Sequence, residues 1–404
     1  MISVEETLSQ ILEATTALSL ERVRLLDSLG RVLAEEIEAD ICIPPFTNSA
    51  VDGYAVIAAE TAGAQISSPV YLKDVGEINA GQLAEKTLLT GEAIRIMTGA
   101  PVPPGADAIV MIEDTERIDS GRIEIREETT AGRHIRFAGE DVAKGQKILL
   151  PGVLIRPAEI AMLATMGRAE VQVHRMPRVA VISTGDEVVE IETGVEPPPG
   201  KIRNSNQYAL AALVREAGGQ ISSLTHIPDD LEATEAALRE CADADVIVTA
   251  GGVSMGDRDF VKPALEKLGS LDLWRVAMKP GKPLAFGRIG KTLFFGLPGN
   301  PVSAMVTFEL FVRPALWKLA GRQAERLARR TVHATLTHSV SHAPGRQEYV
   351  RVATFTQDDQ LCCTPTGAQG SGILHSMTFA DSLLIIPTES TGIKAGEQVR
   401  VMLL

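Results

Sequence analysis

Between residues 4 and 36 apolar side chains recur every three or four positions. Leu8, Ile11 and Leu12 fall on one stripe, and Leu25, Leu26, Leu29, Val32 and Leu33 on another. That period predicts two amphipathic helices, because 3.6 residues per turn gathers each stripe onto one face. From residue 54 to 150 the texture changes. Short β-rich runs at 93–97, 108–112, 122–125 and 147–149 are parted by Gly and Pro clusters such as Gly99-Ala100-Pro101-Val102-Pro103-Pro104-Gly105. This spacing predicts a small all-β module. A helix is expected at 157–166, with Pro157 at its first position and Gly167 beyond its end.

After Arg178 the rhythm becomes strand, loop, helix. Strands are expected at 179–182, 221–225 and 246–248, and helices at 206–217 and 231–241. Segments 260–268, 273–277, 284–286, 293–295 and 302–319 continue the pattern. Such alternation predicts a mostly parallel, doubly wound sheet. The charged stretch 321–330 predicts a linker helix or hinge. Residues 331–404 are again β-rich, with turns at Gly345, Gly367, Gly372 and Gly396, which predicts a second small barrel or sandwich.

At 404 residues the chain exceeds what one hydrophobic core serves, so two to four domains are expected. Hydrophobic residues at 45% and charged ones at 23% fit a soluble globular enzyme and exclude wholesale disorder. The net charge of −13 repels nucleic acid and anionic membrane, so an anionic ligand needs a focused site. With aromatics at only 4%, base-stacking platforms are not expected. Cys42, Cys241, Cys362 and Cys363 lack metal-site spacing, and the adjacent pair is read as two thiols on opposite faces of a strand. The acidic N-terminus is unlike a signal peptide, and the richest apolar run is broken by Gly296, Pro298, Gly299 and Pro301. A cytoplasmic protein is expected.

In a doubly wound sheet, ligands bind where loops leave the carboxyl ends of strands. Three such loops, 183–187, 249–259 and 296–304, are rich in Gly, hydroxyls and acids. Glycines let backbone amides approach phosphate oxygens. No Walker A loop is present, since Gly281-Lys282 runs into Pro283, and there is no Gly-x-Gly-x-x-Gly fingerprint. One loop of this kind is as often structural as functional; three at one edge favour a site. Glu187, Asp229 or Asp230, and Asp257 or Asp259 share that edge, while Asp52 lies apart in Asn48-Ser49-Ala50-Val51-Asp52-Gly53-Tyr54-Ala55. Carboxylates beside a phosphate pocket are electrostatically wrong unless a divalent cation sits between them, and Mg2+ takes one or two carboxylates plus phosphate and water. For Asp229-Asp230 helix capping is an equal alternative. Arg275, Lys279 and Lys282, in a turn stiffened by Pro280, Gly281 and Pro283, are candidates to hold an oxyanion. His333, His338 and His342 are read as surface residues. Ser183 is in no Gly-x-Ser-x-Gly elbow, and no Ser-His-Asp set is suggested.

Pro44-Pro45-Phe46 with NSAVDGYAV, IMTGAPVPPGADAIV, RFAGED, PRVAVISTGDEVV, KIRNSN, AGGVSMGDRDF, AMKPGKPLAFG and GLPGNPVSA follow one another through almost the whole chain. In this order they resemble the molybdopterin molybdenumtransferases, the MoeA-type molybdenum insertases with gephyrin's E domain as animal counterpart. The resemblance implies a multidomain α/β plus β chain. An elongated discontinuous domain (1–49 and 141–173) would carry an inserted β domain (50–140). A doubly wound molybdopterin-binding domain (174–325) and a C-terminal β barrel (326–404) would follow. It also implies a homodimer whose active site lies between the α/β domain and the partner's inserted β domain. The implied reaction takes adenylylated molybdopterin and molybdate, cleaves the phosphoanhydride with Mg2+, and yields molybdenum cofactor and AMP.

Carried over residue by residue, Glu187, Asp229 and Asp259 would surround the metal and pyrophosphate, with Asp257 or Asp230 as seconds. Asp52, Thr98 and Asp141 would close the site from the partner side. Ser183, Thr184, Gly185 and Asp186 would line the substrate, and Gly251, Gly252 and Ser254 would cradle the pterin phosphate. Lys279, Lys282 and Pro298, Gly299, Asn300 and Pro301 would shape the anion pocket, with Arg346 and Ser371 facing substrate from the C-terminal domain. Many members have Lys where this chain has Arg275, which keeps the charge and changes the hydrogen-bond geometry. Further implied partners are the molybdopterin adenylyltransferase and molybdoenzyme maturation proteins. Rival readings are that adenylyltransferase itself, which usually has Gly-Gly-Thr-Gly where this chain has Gly251-Gly252-Val253-Ser254, a protein-binding scaffold, and a nucleotide hydrolase on the same α/β domain.

Overall fold

Alternate residues of the strand Arg178–Thr184 face two different cores. Val179 and Val181 pack with Val248, Phe295 and Leu210, while Ala180 and Ile182 pack with Ile247, Phe294 and Leu265. A strand buried on both faces reads as a continuous apolar run, the mark of a parallel sheet covered by helices on each side. The computed structural model describes residues 1–404 apart from 84, 120, 193 and 253–259. The chain divides into two compact units. One comprises Met1–Glu35, Pro151–Ala161 and Arg168–Leu404; the other comprises Glu36–Leu150 and Met162–Gly167.

The first unit holds a six-stranded sheet in the order Gln220–Ile227, Arg178–Thr184, Val246–Ala250, Thr292–Leu297, Pro283–Ile289, Ser270–Arg275. The first four strands are parallel; Pro283–Ile289 and then Ser270–Arg275 each run antiparallel to the neighbour before. The doubly wound expectation is met, with one antiparallel edge. Helices Ser205–Glu216, Leu231–Glu240 and Val261–Leu268 connect the strands. The last strand predicted at 273–277 begins and ends earlier, at Ser270–Arg275. From Pro301 the chain is helical to Leu319, through a π turn at Phe308–Val312. Pro314 has no N–H to give the ladder, and the wider π turn just before it absorbs the misfit.

The first predicted helix forms at Val4–Ala14, capped by Ser3. The second does not. Leu20–Arg24 is a strand paired antiparallel with Glu170–His174, followed by a 3-10 turn at Leu25–Ser28. Leu26 and Leu29 are exposed, whereas the adjacent Val32 and Leu33 are both buried in bridges to Leu154 and Val173. Neighbours can both be buried in extended chain, so strand pairing overrides the helical period here. Of the linker helix or hinge expected at 321–330, the structure shows no α-helix: its one helical turn is the 3-10 turn Ala324–Arg326. Arg322 on one side lies over the Trp317 ring and Arg329 on the other reaches Glu309, and these anchors set the path of the chain.

Five strands at the C-terminus close on themselves. Gln347–Gln357 pairs with Gln360–Pro365, then Thr331–Leu336, Gln398–Leu403 and Ser382–Ile386 follow, and the last pairs back to the first. The result is a barrel rather than a sandwich, filled by Leu336, Val350, Val352, Cys363, Leu384 and Val401. Cys362 and Cys363 are both buried and free, and burial pushes the Cys363 thiol up to about 11. A two-residue strand from the α/β domain, Met278–Lys279, joins the barrel parallel to Gln347 and Glu348. His342 corrects the surface reading of the three histidines: its side chain is 1% exposed, because Glu348 draws it inward.

The second unit is mainly β, as the pattern over 54–150 predicts, and also holds the 3-10 turns Ala58–Thr61 and Ile112–Asp114 and the end of the helix Pro157–Thr165. Its six-stranded sheet runs Ala108–Met111, Gly53–Val56, Glu92–Ile96, Val70–Ile78, Arg122–Ile125, Thr115–Asp119. Tyr54, Val56, Leu72, Val110, Ile123 and Ile125 fill one side of it. Among the described residues no helix is long and apolar enough to cross a membrane.

Candidate functional site

Two adjoining cavities open at the carboxyl edge of the parallel sheet. The first, about 540 Å³, is walled by the loop after Arg178–Thr184, by Asp229, and by the segment 202–206. The second, about 500 Å³, is walled by the loop 279–283, by Arg346, and by Gln369, Gly370 and Ser371. Gly251, Gly252, Gly299 and Asn300 line both.

Local sequence explains how these walls come so close. Gly251 has φ +95°, and a Cβ there would meet Thr184 Oγ1 at 2.8 Å. Its amide donates to Leu297 O (3.0 Å), so what Gly251 offers the cavity is room rather than a donor. Gly281 has φ +100°, and a Cβ would stand 2.4 Å from Thr307 Oγ1. Only glycine lets the lysine-bearing turn lie against the helix that begins at Pro301.

In the first cavity the acids sort themselves. Asp230 is the N-cap of Leu231–Glu240, its carboxylate accepting from the Ala233 amide at 2.8 Å. Asp229 instead lines the cavity with Glu187. Capping therefore explains one of the pair and not the other. The Asp229 amide donates to Asp186 Oδ1 at 3.2 Å, which ties the two loops together. Ser183, Thr184 and Gly185 line the same cavity. Ser183 is buried, bonded to His226 Nδ1 (3.0 Å) and accepting from Asn204 Nδ2 (2.8 Å). Asn204 also caps Ser205–Glu216, so helix start and pocket floor are fixed by one side chain.

Among the described residues no three His, Cys, Asp or Glu side chains converge as a metal cage. Two carboxylates, Glu187 and Asp229, face one cavity, which suits Mg2+ completed by phosphate oxygens and water. The candidate residues Ser254, Asp257 and Asp259 lie outside the described residues.

The second cavity has the opposite character. Lys279, Lys282 and Arg346 line it, and no carboxylate does among its described lining residues. Pro298, Gly299, Asn300 and Ser371 line it too, with Pro301 on the first cavity. Lys279 Nζ donates to Glu348 Oε1 at 2.8 Å. Arg351, 1% exposed, donates from Nε to Ser376 Oγ (3.0 Å) and from a terminal nitrogen to Gly370 O (3.1 Å). It thereby holds the loop that carries Ser371.

Asp52, Thr98 and Asp141 belong to the other unit. The Thr98 amide and hydroxyl both donate to Asp52 Oδ1, at 2.7 and 2.8 Å. The backbone bond first, and the hydroxyl second, hold the Asp52 carboxyl below its ordinary value. The stability this gives is present above about pH 4 and lost as pH falls through the lowered folded value. Thr98→Val keeps the amide and removes the hydroxyl, so the Asp52 titration point is expected to rise part of the way back, measured by carboxyl 13C NMR. An unchanged titration would show that the hydroxyl contributes nothing. Asp141 is exposed and its amide donates to Ile43 O at 3.0 Å.

Sequence reasoning missed Asn206, Glu348, His342 and Arg351. Asn206 Nδ2 donates to Gly299 O (2.6 Å) while its Oδ1 is buried at the cavity without a partner among the described residues. The signal was there in KIRNSN, where a second Asn follows the cap. For Glu348 and Arg351 nothing local marked their burial or what they would meet, and 348–352 are buried in unbroken succession.

Comparison with known proteins places this geometry. Family models match residues 2–167 (MoeA N-terminal region, domains I and II), 180–318 (probable molybdopterin binding domain) and 333–404 (MoeA C-terminal region, domain IV). A molybdopterin molybdenumtransferase of Bacillus subtilis is 38% identical, covering 100% of this chain and 94% of that protein. Molybdopterin molybdenumtransferase 2 of Mycobacterium tuberculosis is 39% identical over 99% of both. The crystal structure of a molybdopterin biosynthesis MoeA protein from Pyrococcus horikoshii superposes with a TM-score of 0.85 at 32% identity, covering 100% of both chains. Its closed C-terminal barrel, its doubly wound domain and these end-to-end matches show that the chain belongs to the molybdopterin molybdenumtransferase family.

Proposed function

We propose that this chain transfers molybdenum from molybdate to adenylylated molybdopterin, with Mg2+-dependent cleavage of the phosphoanhydride and release of AMP. Its relatives are molybdopterin molybdenumtransferases by name. The observation that carries the finer reading is the pairing of an acid-walled cavity with a cation-walled one across a shared glycine floor. Both substrates are anions, and each cavity suits one of them.

In the cation-walled cavity, Lys279, Lys282 and Arg346 bind molybdate, with the Ser371 hydroxyl as a further donor. Arginine and lysine fix an oxyanion by charge-assisted hydrogen bonds, worth roughly twice neutral ones. In the other cavity the pterin and its pyrophosphate lie over Gly251 and Gly252, the close-packed glycines of its floor. Glu187 and Asp229, with Asp257 and Asp259, would hold Mg2+, which when bound neutralises charge on the pyrophosphate and the departing AMP. Ser183 and Thr184 shape the floor beneath. The same proposal includes the four-part division given above and a homodimer in which Asp52, Thr98 and Asp141 act from a second copy; motif likeness supports both.

The test is mass spectrometry of the purified protein after incubation with adenylylated molybdopterin, Mg2+ and molybdate. AMP and molybdenum-loaded pterin are expected to appear together. Adenylylation of molybdopterin from ATP without molybdate would instead identify an adenylyltransferase and overturn the proposal.

A further inference from the structure

Behind the cation-walled cavity lies a buried chain of polar groups that the proposed reaction does not use. Glu348 is 5% exposed in its side chain, on the barrel strand that pairs directly with Met278–Lys279. One carboxylate oxygen accepts from Lys279 Nζ at 2.8 Å, and the other meets His342 Nδ1 at 2.7 Å. His342 Nε2 is buried with no partner among the described residues. A proton there would have no acceptor, so the arrangement favours a ring with its single proton on Nδ1, donated to Glu348. A buried carboxylate is costly unless paired. The charge it finds is that of Lys279, whose side chain is 46% exposed and lines the cavity.

We propose that Glu348, oriented by His342, is the positioning residue for Lys279 and trims the cavity's charge to that of a doubly negative oxyanion. The inference rests on reading this cavity as the molybdate site. Three positive side chains line it, and one buried negative group stands behind them. Among the described residues, two of those positive charges remain without a carboxylate partner, the complement of a tetrahedral dianion. Lys279 keeps two donor hydrogens for the ligand while the third is held by Glu348, so its ammonium is fixed without being withdrawn.

Steady-state AMP release against molybdate concentration, on the full-length protein, tests this. Glu348→Gln removes the negative charge and frees Lys279. The apparent molybdate KM is expected to fall about threefold, because the cavity becomes more positive, while kcat falls about tenfold, because the ammonium loses its anchor. A purely structural loss lowers kcat with the active fraction and leaves KM in place, and that result would overturn the proposal. His342→Leu and His342→Asn give a second arm should Glu348→Gln not fold. Asparagine presents an N–H near the Nδ1 position and is expected to recover most of the kcat that leucine loses; equal loss in both would sink the role of His342. Lys282→Ala, which has no link to Glu348, is the control. Under the molybdate reading it raises KM about tenfold or more; an unchanged KM would sink that reading, whereas a raised KM with an unmoved Glu348→Gln would sink the positioning proposal alone.

Discussion

Alanine at Glu187 is expected to lower AMP release by about a hundredfold or more, with the melting temperature unchanged. The side chain is exposed and lines the acid-walled cavity with Asp229. Surface replacements with no structural partner usually move stability by less than about 0.5 kcal/mol. Local geometry shows that Glu187 is held back over its own loop: a Cβ on Gly185 would lie 2.7 and 2.8 Å from its two carboxylate oxygens. Its placement therefore depends on Gly185. If the carboxylate helps hold Mg2+ at the pyrophosphate, its removal leaves the charge of the departing AMP unbalanced. That loss is worth about 3–4 kcal/mol where one electrostatic group is taken from a site of this kind. Glu187→Asp is expected to recover part of the rate. Single-turnover AMP release measured by chromatography decides the matter, and a full rate in the alanine variant would sink the metal assignment.

The second large effect is on stability. Glu309 and Arg313 sit one turn apart in the long helix, 3% and 1% exposed in their side chains. Two hydrogen bonds join them, at 2.6 and 2.7 Å, and Arg329 adds a third to Glu309 at 2.9 Å. Arg313 also lies over the rings of Phe308 and Trp317. Glu309→Ala leaves a buried guanidinium with the half-exposed Glu216 as its remaining carboxylate among those described. Breaking a buried pair in this way costs about 3–5 kcal/mol. The expected result is a large drop in the first thermal transition, read by calorimetry. Replacing both partners, Glu309→Leu with Arg313→Met, is expected to restore much of it, since an apolar pair strands no charge. A single variant as stable as the parent would refute this account.

Trp317 connects that network to another strained group. Burial, with the charges of Arg313 and Arg326, lowers the Arg322 guanidinium to about 10, and its face lies 4.3 Å from the Trp317 centroid. Arg322 on Trp317 and Arg329 on Glu309 tie down the two ends of 321–330, the segment expected to be a linker helix or hinge.

The doubly wound sheet was legible because strands buried on both faces leave unbroken apolar runs, as in Val179, Ala180, Val181 and Ile182. The three glycine-bearing loops were legible for a related reason: a parallel sheet collects its loops at one edge. Residues 25–33 misled because periodicity reports which positions are apolar, and pairing with Glu170–His174 comes from far along the chain. Asp229 and Asp230 were beyond sequence reasoning, since adjacent carboxylates differ only in the direction each backbone turns. Glu348 and His342 were hidden for a plainer reason. A charged residue in a strand reads as solvent-facing until the partner lysine arrives from another domain.

The short pairing of Met278–Lys279 with Gln347 and Glu348 has a mechanical consequence. It rivets the lysine turn to the barrel, so the wall bearing Lys279 and the wall bearing Arg346 travel as one piece. A jaw-like opening between them would have to tear backbone hydrogen bonds at every turnover. If the cavity takes an oxyanion, as proposed, the anion would enter and its product would leave through the mouth of a chamber that keeps its width.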